Sequence, residues 1–513
     1  MNMNERMDSI ENLINTLNPQ QKEVVYSKDR QLLCLAGAGT GKTHTLISKI
    51  LYSTQVLKVN PINILVLTFT NAAGNELKYR YSSYSDLNIT PYFGTFHSFC
   101  YKLIIENEHI RAYLGYSEIP EILDEYGEKL LYDKAKLITG VKLAKRCYSI
   151  SYNPSVSERY EFKVFQRMVD KLLIQQNKIT FDRLCYKICE IFKNNSKSVR
   201  QIVYQYLKKY QYIYVDEFQD TDKIQWDFVN SFIWSSKILF ADIRQAIYSF
   251  RGADSSIVKS ILTNDEWSVL KLEYNYRSTQ EICNFANDWI KQYKNVNSFY
   301  DIALRSSRHG EDVKTVSSNY FYNLLKHLDY NKSTAILCRT NNEVSYILNY
   351  LEKLNIDCST NRNNNAELVL CALNDKYKID YLLNLLDERR RIEYIKNSCI
   401  YDNYDIESEL SSQFEYILDE IEEIKENDNY SELKRLYDSK ELSNSDILSS
   451  NKYIKNNIYV GTIHSVKGLE FDSVYVYGIN SKYFNIYSNE ENMNLYYVAC
   501  TRAKTHLTIV KES

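Results

Sequence analysis

The chain has 513 residues, of which 44% are hydrophobic and 25% charged, and 63 Lys and Arg against 65 Asp and Glu give a net charge of −2. This composition is typical of an ordinary folded protein and excludes a collagen-like, low-complexity or uniformly basic chain. The length predicts several domains, since one domain usually takes about 100 to 200 residues.

The chain shows no signal for export or membrane insertion. Its N-terminus lacks an apolar signal core, and no run of about eighteen apolar residues occurs. The 11 cysteines are scattered without a CxxC pair, which favours buried thiols over a zinc site. We therefore expect a cytoplasmic protein without a membrane partner.

The first strong signal in chain order is the segment QLLCLAGAGTGKTHTLISKILY at 31–52. It predicts a buried strand, a glycine-rich loop and an amphipathic helix. The glycines allow successive backbone N–H groups to point at phosphates, and the start of the helix favours the same negative charge. In such a loop Lys42 reaches the terminal phosphates and the Thr43 hydroxyl binds Mg²⁺. The pattern is met loosely, because Ala36 stands where the loop usually opens with glycine.

Further apolar runs that end in polar residues indicate strands. They are INILVLTF at 62–69, YQYIYVDEF at 210–218, SSKILFAD at 235–242, TAILCRT at 334–340, NIYVGTIHS at 457–465, SVYVYGI at 473–479 and HLTIVKE at 506–512. Because they alternate with helical stretches, they predict two parallel sheets flanked by helices, with ligands at the carboxyl ends of the strands. Two largely helical, charged tracts lie at about 107–195 and 366–456.

One of these strands ends in adjacent carboxylates, Asp216 and Glu217. Such a pair suits hydrolysis, since Asp216 can hold Mg²⁺ through its water shell while Glu217 polarises the attacking water. By itself the pair is better explained as an acidic turn after a strand. The phosphate loop earlier in the chain favours the catalytic interpretation.

Nine short motifs follow one another in a fixed order. They are LNPQQ, AGAGTGKT, LTFTNAAGNEL, GTFHS, VDEFQDT, ADIRQAIYSFRGA, EYNYRS, GTIHSVKGLEFD and YVACTRA. Together they resemble the UvrD/Rep group of superfamily 1A DNA helicases, and the resemblance covers both predicted sheets. It implies an ATP-dependent helicase or translocase that uses ATP and Mg²⁺. It also implies 3′-to-5′ movement on single-stranded or partly duplex DNA, driven as ATP closes two cores and hydrolysis reopens them.

The resemblance implies an α/β fold with two RecA-like parallel-sheet cores of the P-loop NTPase type and two mainly helical inserted subdomains. The expected ranges are 1–106 and 196–272 for core 1A, 107–195 for insertion 1B, 273–365 and 457–513 for core 2A, and 366–456 for a reduced insertion 2B.

The resemblance also implies a set of nucleotide contacts. Gln21 reads the adenine edge, Tyr276 stacks on the base and Glu470 contacts the ribose. Gln245 senses the γ-phosphate, while Arg277 and Arg502 reach the phosphates from the second core and stabilise the charge of the transferring phosphoryl group. The loop residues are Ala38, Gly39, Thr40, Gly41, Lys42, Thr43 and His44. The expected catalytic set is Lys42, Asp216, Glu217, Gln245, Arg277 and Arg502, with Thr43 and Asp216 on the metal.

Another group of residues falls at positions that the family uses for single-stranded DNA. They are Phe69, Thr70, Asn71, His97, Ser98, Tyr248, Phe250, Arg251, Thr462 and His464. Aromatic stacking suits DNA binding without sequence preference, because every base has a π face. Phe69 would be assigned to the core from its apolar run alone, and only the family position favours a contact with DNA.

The sequence departs from the family pattern in ways that keep alternatives open. Ala72 and His44 replace a common lysine and arginine, and Met493 with Asn494 replaces an arginine pair. The tract between CRTNNEV and GTIHS is much shorter than in full-length UvrD-like enzymes. This layout is similar to helicase-like subunits of Gabija-type anti-phage systems that work beside a separate nuclease. The other readings are a repair helicase, a DNA-stimulated ATPase sensor that does not unwind, and a motor that moves on RNA.

Overall fold

The structure is a computed structural model that describes residues 10, 12–85, 89–144, 148–150, 152, 154–193, 197–248, 252–291, 302–329, 331–360, 457–481, 484–486 and 489–512. The chain forms two compact units. The first comprises Met1–Val313 and Ile486–His506, and the second comprises Lys314–Asn485 and Leu507–Ser513.

The secondary structure alternates between strands and helices along most of the chain. The strands are β1 (Gln31–Ala36), β2 (Ile64–Thr68), β3 (Tyr92–Thr95), β4 (Glu121–Ile122), β5 (Lys178–Ile179), β6 (Tyr212–Val215), β7 (Ser236–Ala241), β8 (Ser268–Leu272), β9 (Lys314–Ser317), β10 (Thr334–Cys338), β11 (Ser359–Thr360), β12 (Ile458–Thr462), β13 (Phe471–Ile479) and β14 (Ala503–Lys511). The helices are α1 (Pro19–Tyr26), α2 (Lys42–Leu51), α3 (Asn71–Tyr84), α4 (Phe96–Glu106), α5 (Glu108–Leu114), α6 (Glu125–Thr139), α7 (Arg159–Gln175), α8 (Phe181–Lys193), α9 (Lys197–Lys209), α10 (Lys223–Ser231), α11 (Ser255–Leu262), α12 (Gln280–Lys291), α13 (Ser318–Leu324), α14 (Asn341–Lys353) and α15 (Glu490–Cys500).

The first unit is built on a six-stranded sheet in the order β3-β2-β6-β7-β1-β8, and every adjacent pair is parallel. The continuous apolar runs of β1, β2 and β7 are buried, as expected for parallel strands covered on both faces. Leu46 and Ile50 on α2 pack into the same core as Cys34 and Val66. The loop after β1 and the ends of β2, β6 and β7 therefore meet at one edge of the sheet.

Residues 107–193 are mainly helical, as the sequence predicts. Helices α6 and α7 pack around a core that includes Tyr132, Phe165 and Val169. The short strands β4 and β5 pair in parallel, with Glu121 opposite Lys178, and the sequence did not reveal this pair.

The second unit is built on a six-stranded sheet in the order β11-β12-β10-β13-β14-β9. Strand β10 pairs in parallel with both β12 and β13. Helices α13 and α14 cover the sheet through a core that includes Phe321, Ile347 and Val460. The two predicted α/β sheets are thus confirmed, whereas the predicted 2B insertion at 366–456 lies outside the described residues.

The compact units divide the chain differently from the ranges predicted for cores 1A and 2A. Residues 273–313 and 486–506, which we assigned to core 2A, belong to the first unit. Hydrogen bonds connect the first of these segments to the phosphate loop: the Tyr276 amide donates to the Gly39 carbonyl at 2.9 Å, and Asn275 Nδ2 donates to the Ala38 carbonyl at 2.7 Å. The predicted subdomain ranges stay predictions.

Candidate functional site

The phosphate loop connects β1 to α2. Gly39 and Gly41 have φ angles of 70° and 78°, in the left-handed region that glycine enters at low cost. The Thr40 hydroxyl donates to the Gly37 carbonyl at 2.7 Å and fixes the turn from within. Helix α2 then begins at Lys42. The loop and the first turn of the helix together have the geometry of an anion site.

Two carboxylates follow β6 at the same edge of the sheet. The Asp216 amide extends the sheet hydrogen bonding by donating to the Leu67 carbonyl at 2.9 Å. Glu217 has a φ angle of 52°, which is unusual for a residue with a side chain and is typical of strained functional positions. Lys42 Nζ lies 3.4 Å from Asp216 Oδ1 and forms an ion pair with Glu217 Oε1.

The electrostatics of this cluster follow from burial and from the ion pairs. Burial lowers the pKa of Lys42, but the Asp216 and Glu217 carboxylates raise it more, so it lies above its ordinary value. Burial raises the pKa of Asp216, and Lys42 opposes that rise. One ammonium group therefore neutralises part of the charge of two carboxylates.

A chain of hydrogen bonds leads from the partly exposed Glu217 through buried side chains to the predicted γ-phosphate sensor. Gln219 Nε2 donates to Glu217 Oε2, and Gln219 Oε1 accepts from the Asp242 amide at 3.0 Å. Gln245 Nε2 donates to Asp242 Oδ2 at 2.9 Å. Gln245 Oε1 accepts from Arg502 Nη2 at 3.1 Å, which brings Gln245 and Arg502 together across 257 sequence positions.

Both predicted arginines lie in the first compact unit, which also contains the phosphate loop. Their approach to the phosphates from the second core stays a prediction. A Cβ atom added to Gly39 would lie only 2.8 Å from Arg277 Cβ, so Arg277 packs on the loop. Arg277 Nη1 donates to the Thr501 carbonyl at 3.2 Å. Burial, and then the nearby Arg277, lower the pKa of Arg502, while Glu217 raises it. Both guanidinium groups contact Thr501, since Arg502 Nη2 donates to the Thr501 hydroxyl at 3.4 Å, and a pair of guanidinium groups suits an anionic ligand.

The residues predicted to contact the base are engaged with their own chain. The buried Gln21 donates from Nε2 to the Thr40 carbonyl at 3.0 Å, and its Oε1 accepts from the Asn18 amide at 3.0 Å. Tyr276 is 47% exposed, and its hydroxyl accepts a hydrogen bond from Asn18 Nδ2 at 2.9 Å. Burial, and then Arg80, lower the pKa of His44, which favours its neutral form.

Asn275 is a site residue that the motif comparison missed. Its side chain is buried and donates to the Ala38 carbonyl, while Oδ1 accepts from the amides of Arg277 and Ser278, each at 2.7 Å. Asn275 therefore fixes the chain that carries Tyr276 and Arg277. Its place inside EYNYRS was the available signal.

The predicted DNA residues of the first unit lie after β2, at the start of α4 and after Gln245. Phe69 and Tyr248 stack with ring centroids 5.2 Å apart and an angle of 13° between their planes. The His97 ring meets Phe181 edge-on at 5.8 Å, and burial lowers the pKa of His97 while Asp182 opposes that shift. Phe250 and Arg251 lie outside the described residues.

Some predicted DNA residues have structural roles in the described chain. The Thr70 hydroxyl accepts from the Ala73 amide at 3.2 Å and caps α3, so that Asn71 is the first residue of this helix. The Ser98 hydroxyl accepts from the Thr95 amide at 2.8 Å within the capping box of α4. The Thr70 and Ser98 hydroxyls thus each accept a backbone hydrogen bond at the start of a helix.

Three predicted residues belong to the second unit. Thr462 ends β12, His464 lies in the short turn Ile463–Val466, and the exposed Glu470 immediately precedes β13. Their predicted contacts with ribose and DNA stay predictions.

Comparison with known protein families gives two matches in the same order as the two sheets. The model of the UvrD/REP helicase N-terminal domain matches residues 17–266, and that of the UvrD-like helicase C-terminal domain matches residues 270–365 and 377–513. The chain belongs to the UvrD/Rep family of helicases. The predicted resemblance, the α/β fold with RecA-like cores and the enzyme class of the family, ATP-dependent DNA helicases, are thereby confirmed.

Individual relatives of this UvrD/Rep-family chain carry helicase names. A probable DNA helicase II homolog of Mycoplasma pneumoniae is 26% identical over 615 aligned positions, which cover 97% of this chain and 84% of the relative. The ATP-dependent DNA helicase PcrA of Bacillus subtilis is 31% identical over 311 positions, which cover 55% of this chain and 40% of PcrA. Within the described residues, no helix has the length and apolar character needed to span a membrane.

Proposed function

We propose that this chain is an ATP-driven motor that moves 3′-to-5′ along single-stranded DNA and separates partly duplex DNA. One observation carries the proposal: hydrogen bonds and ion pairs connect Lys42 through Glu217 and Gln245 to Arg502. The links run through Gln219 and Asp242, and Thr501 contacts both Arg502 and Arg277. This cluster contains a lysine for the phosphates, a carboxylate base and two guanidinium groups for the transferring phosphoryl charge.

The Lys42–Glu217 ion pair supplies a physical reason for coupling hydrolysis to nucleotide binding. A carboxylate held by an ammonium group is a weak base for water, because the ion pair favours its ionised form. A bound triphosphate attracts Lys42 toward its own oxygens and releases Glu217. Glu217 then accepts a proton from the attacking water, while Arg277 and Arg502 stabilise the developing negative charge.

The residues at the end of β6 and at the start of α2 also fit Mg²⁺. Thr43 follows Lys42 in the first turn of α2, and the buried Asp216 ends 3.4 Å from the Lys42 ammonium group. Hydroxyl and carboxylate oxygens are the ligands that Mg²⁺ prefers, and the ammonium group shows that this position stabilises a cation. When bound, the metal ion neutralises charge on the phosphate oxygens.

The position of the sensor provides a route from the nucleotide to DNA. Gln245 and Tyr248 are three residues apart on the segment that follows β7, and Tyr248 stacks on Phe69. A shift of Gln245 toward a γ-phosphate therefore moves a ring of the predicted base platform. Alternating grip of this kind converts hydrolysis into steps along a strand.

Two variants test the assigned chemistry. We expect Lys42→Ala and Glu217→Gln to abolish ATP turnover stimulated by single-stranded DNA while the fold remains intact by circular dichroism. Substantial turnover in Glu217→Gln contradicts the role of Glu217 as the base.

RNA and DNA homopolymers compared in the same assay identify the nucleic acid along which the motor moves. We expect DNA to stimulate ATP turnover more strongly than RNA.

A DNA-stimulated ATPase sensor is the second candidate, favoured by the short tract between CRTNNEV and GTIHS. Strand displacement on duplexes with 3′ or 5′ tails separates the two candidates. The motor displaces strands from 3′-tailed substrates, whereas the sensor hydrolyses ATP without displacement.

A separate nuclease partner in anti-phage defence is a further proposal. It predicts that a nuclease is recovered in stoichiometric amount when the chain is purified. A repair helicase, in contrast, purifies alone and acts on forked DNA.

A further inference from the structure

We propose that Arg244 is a positioning residue that locks the phosphate loop to the Gln245 turn and thereby sets the geometry for hydrolysis. This inference rests on the proposed function and assigns a role to a residue that the motif analysis left without one. The residue stands immediately before the predicted γ-phosphate sensor. Its side chain points away from solvent, with only 1% exposed.

The Arg244 guanidinium group is held from three directions. Nε forms an ion pair with Asp242 Oδ1 at 3.0 Å, and Nη1 donates to the Ile302 carbonyl at 3.1 Å. The guanidinium carbon lies 4.7 Å from the centroid of the Tyr497 ring, a cation–π geometry. A planar side chain fixed in this way has one orientation, and lysine cannot reproduce the fork.

The same group lies directly beneath the phosphate loop. A Cβ atom added to Gly37 would lie 2.5 Å from Leu304 Cδ2 and 2.9 Å from Arg244 Nη2, so the guanidinium group and the Leu304 side chain both lie close to the loop at Gly37. Burial lowers the pKa of Arg244, but Asp242, Tyr497 and Glu273 together raise it above its ordinary value, and the buried side chain is therefore a charged group.

Asp242 connects this support to the sensor. Its Oδ1 pairs with Arg244 Nε, while its Oδ2 accepts from Gln245 Nε2 at 2.9 Å. Gln245 in turn accepts from Arg502. Removal of the guanidinium group leaves a buried carboxylate without its cation, and such a group relaxes toward other donors or water. The amide of Gln245 then loses the partner that orients it.

Helix α15 is the third element that Arg244 contacts. It carries Tyr497 under the guanidinium group, and its buried Asn494 donates from Nδ2 to the Ala246 carbonyl at 3.0 Å. Arg502 follows this helix within two residues of its end. Arg244 thus contacts the phosphate loop, the sensor turn and the helix that precedes Arg502.

A purely structural ion pair is the competing explanation, and the chain contains a matched control. Arg183 is also 1% exposed, and its Nε pairs with Asp170 Oδ1 at 2.7 Å between α7 and α8. It lies in the helical insertion and contributes nothing to the phosphate loop. Methionine at either position removes one buried guanidinium group of the same size and charge.

The experiment compares Arg244→Met with Arg183→Met in the full chain. Three quantities are measured: the urea midpoint, the Kd for fluorescent ADP, and kcat and KM for ATP with saturating oligo(dT). We expect Arg244→Met to lower kcat about 100-fold or more, as for a misplacement of about 1 Å, with Kd for ADP changed less than about threefold. Arg183→Met should lose stability but keep kcat per folded molecule.

Substitutions of Tyr497 provide a second route if Arg244→Met does not fold. Tyr497→Phe keeps the ring beside the guanidinium group and should retain kcat. Tyr497→Leu removes the ring and should lower kcat as Arg244→Met does. Normal kcat in Arg244→Met or Tyr497→Leu, or an equal fall in kcat in Arg183→Met, overturns the inference. If the unsubstituted chain shows no ATP turnover with DNA, the proposed function fails and the inference fails with it, and this outcome is distinct from normal kcat in the variants.

Discussion

Gly39 shows how closely the phosphate loop is fitted to the segment that carries Tyr276 and Arg277. Its φ angle of 70° disfavours any side chain, and an added Cβ would lie 2.8 Å from both Arg277 Cβ and Asn275 Nδ2. The loop therefore requires glycine for two independent reasons, backbone conformation and close approach.

A comparison of Gly39→Ala with Gly140→Ala separates the cost of the backbone conformation from the cost of the close approach. Gly140 ends α6 with a φ angle of 67°, and an added Cβ there meets nothing within 4 Å. Gly140→Ala should cost only the left-handed backbone penalty, about 1 to 2 kcal/mol in the free energy of unfolding. Gly39→Ala should cost more and should also weaken ADP binding, because Arg277 and Asn275 must move.

Urea unfolding and titration with fluorescent ADP measure the two effects. Equal losses of stability, with unchanged ADP affinity in both variants, contradict the close docking of Asn275 and Arg277 on the loop.

At the scale of elements, the strand ends decide which side chains face a ligand. The pattern of β2 predicts Phe69 as part of the core, yet Phe69 stands one residue past the strand, half-buried and stacked on Tyr248. The apolar pattern predicts burial only within the strand, so it does not determine the role of Phe69, and the contact of Phe69 with DNA stays a prediction.

The stacked pair of Phe69 and Tyr248 leads to a prediction about how tightly the chain binds single-stranded DNA. We expect Tyr248→Ala to weaken oligo(dT) binding by roughly 1 to 3 kcal/mol, the usual value for one base stacked on an aromatic side chain. Tyr204→Ala is the control, since Tyr204 is exposed and meets Trp234 edge-on at 5.1 Å in the same unit. Fluorescence anisotropy at one fixed salt concentration measures both variants, because DNA affinity depends strongly on salt. The same decrease in both variants removes the special role of Tyr248.

At the scale of the whole molecule, local patterns predicted the elements well. The run QLLCLAGAGTGKTHTL gave β1, the loop and the start of α2, because a buried strand, a glycine turn and an amphipathic helix each have strong local signatures. The same reasoning placed Asp216 and Glu217 at a strand end, where the structure has them.

Local sequence patterns do not predict contacts between residues that are far apart in the chain. The hydrogen bond between Gln245 and Arg502 joins residues 257 positions apart, and the docking of Asn275 on Ala38 joins residues 237 positions apart. No periodicity encodes such contacts, and only family resemblance indicated that the arginines approach the nucleotide. The assignment of both arginines to the first unit, and the Lys42–Glu217 ion pair, became visible only in the structure.

The central claim is that residues from distant parts of the chain act on one triphosphate. A crystal structure of the chain with Mg²⁺, ADP and tetrafluoroaluminate, an analogue of the transferring phosphoryl group, tests it most directly. We predict that the planar fluoride group contacts Lys42 Nζ, the Gln245 amide and the guanidinium groups of Arg277 and Arg502, and that Glu217 has left Lys42 to hold the attacking water. A nucleotide bound elsewhere, or bound at the loop with both arginines turned away from the fluoride group, contradicts the claim.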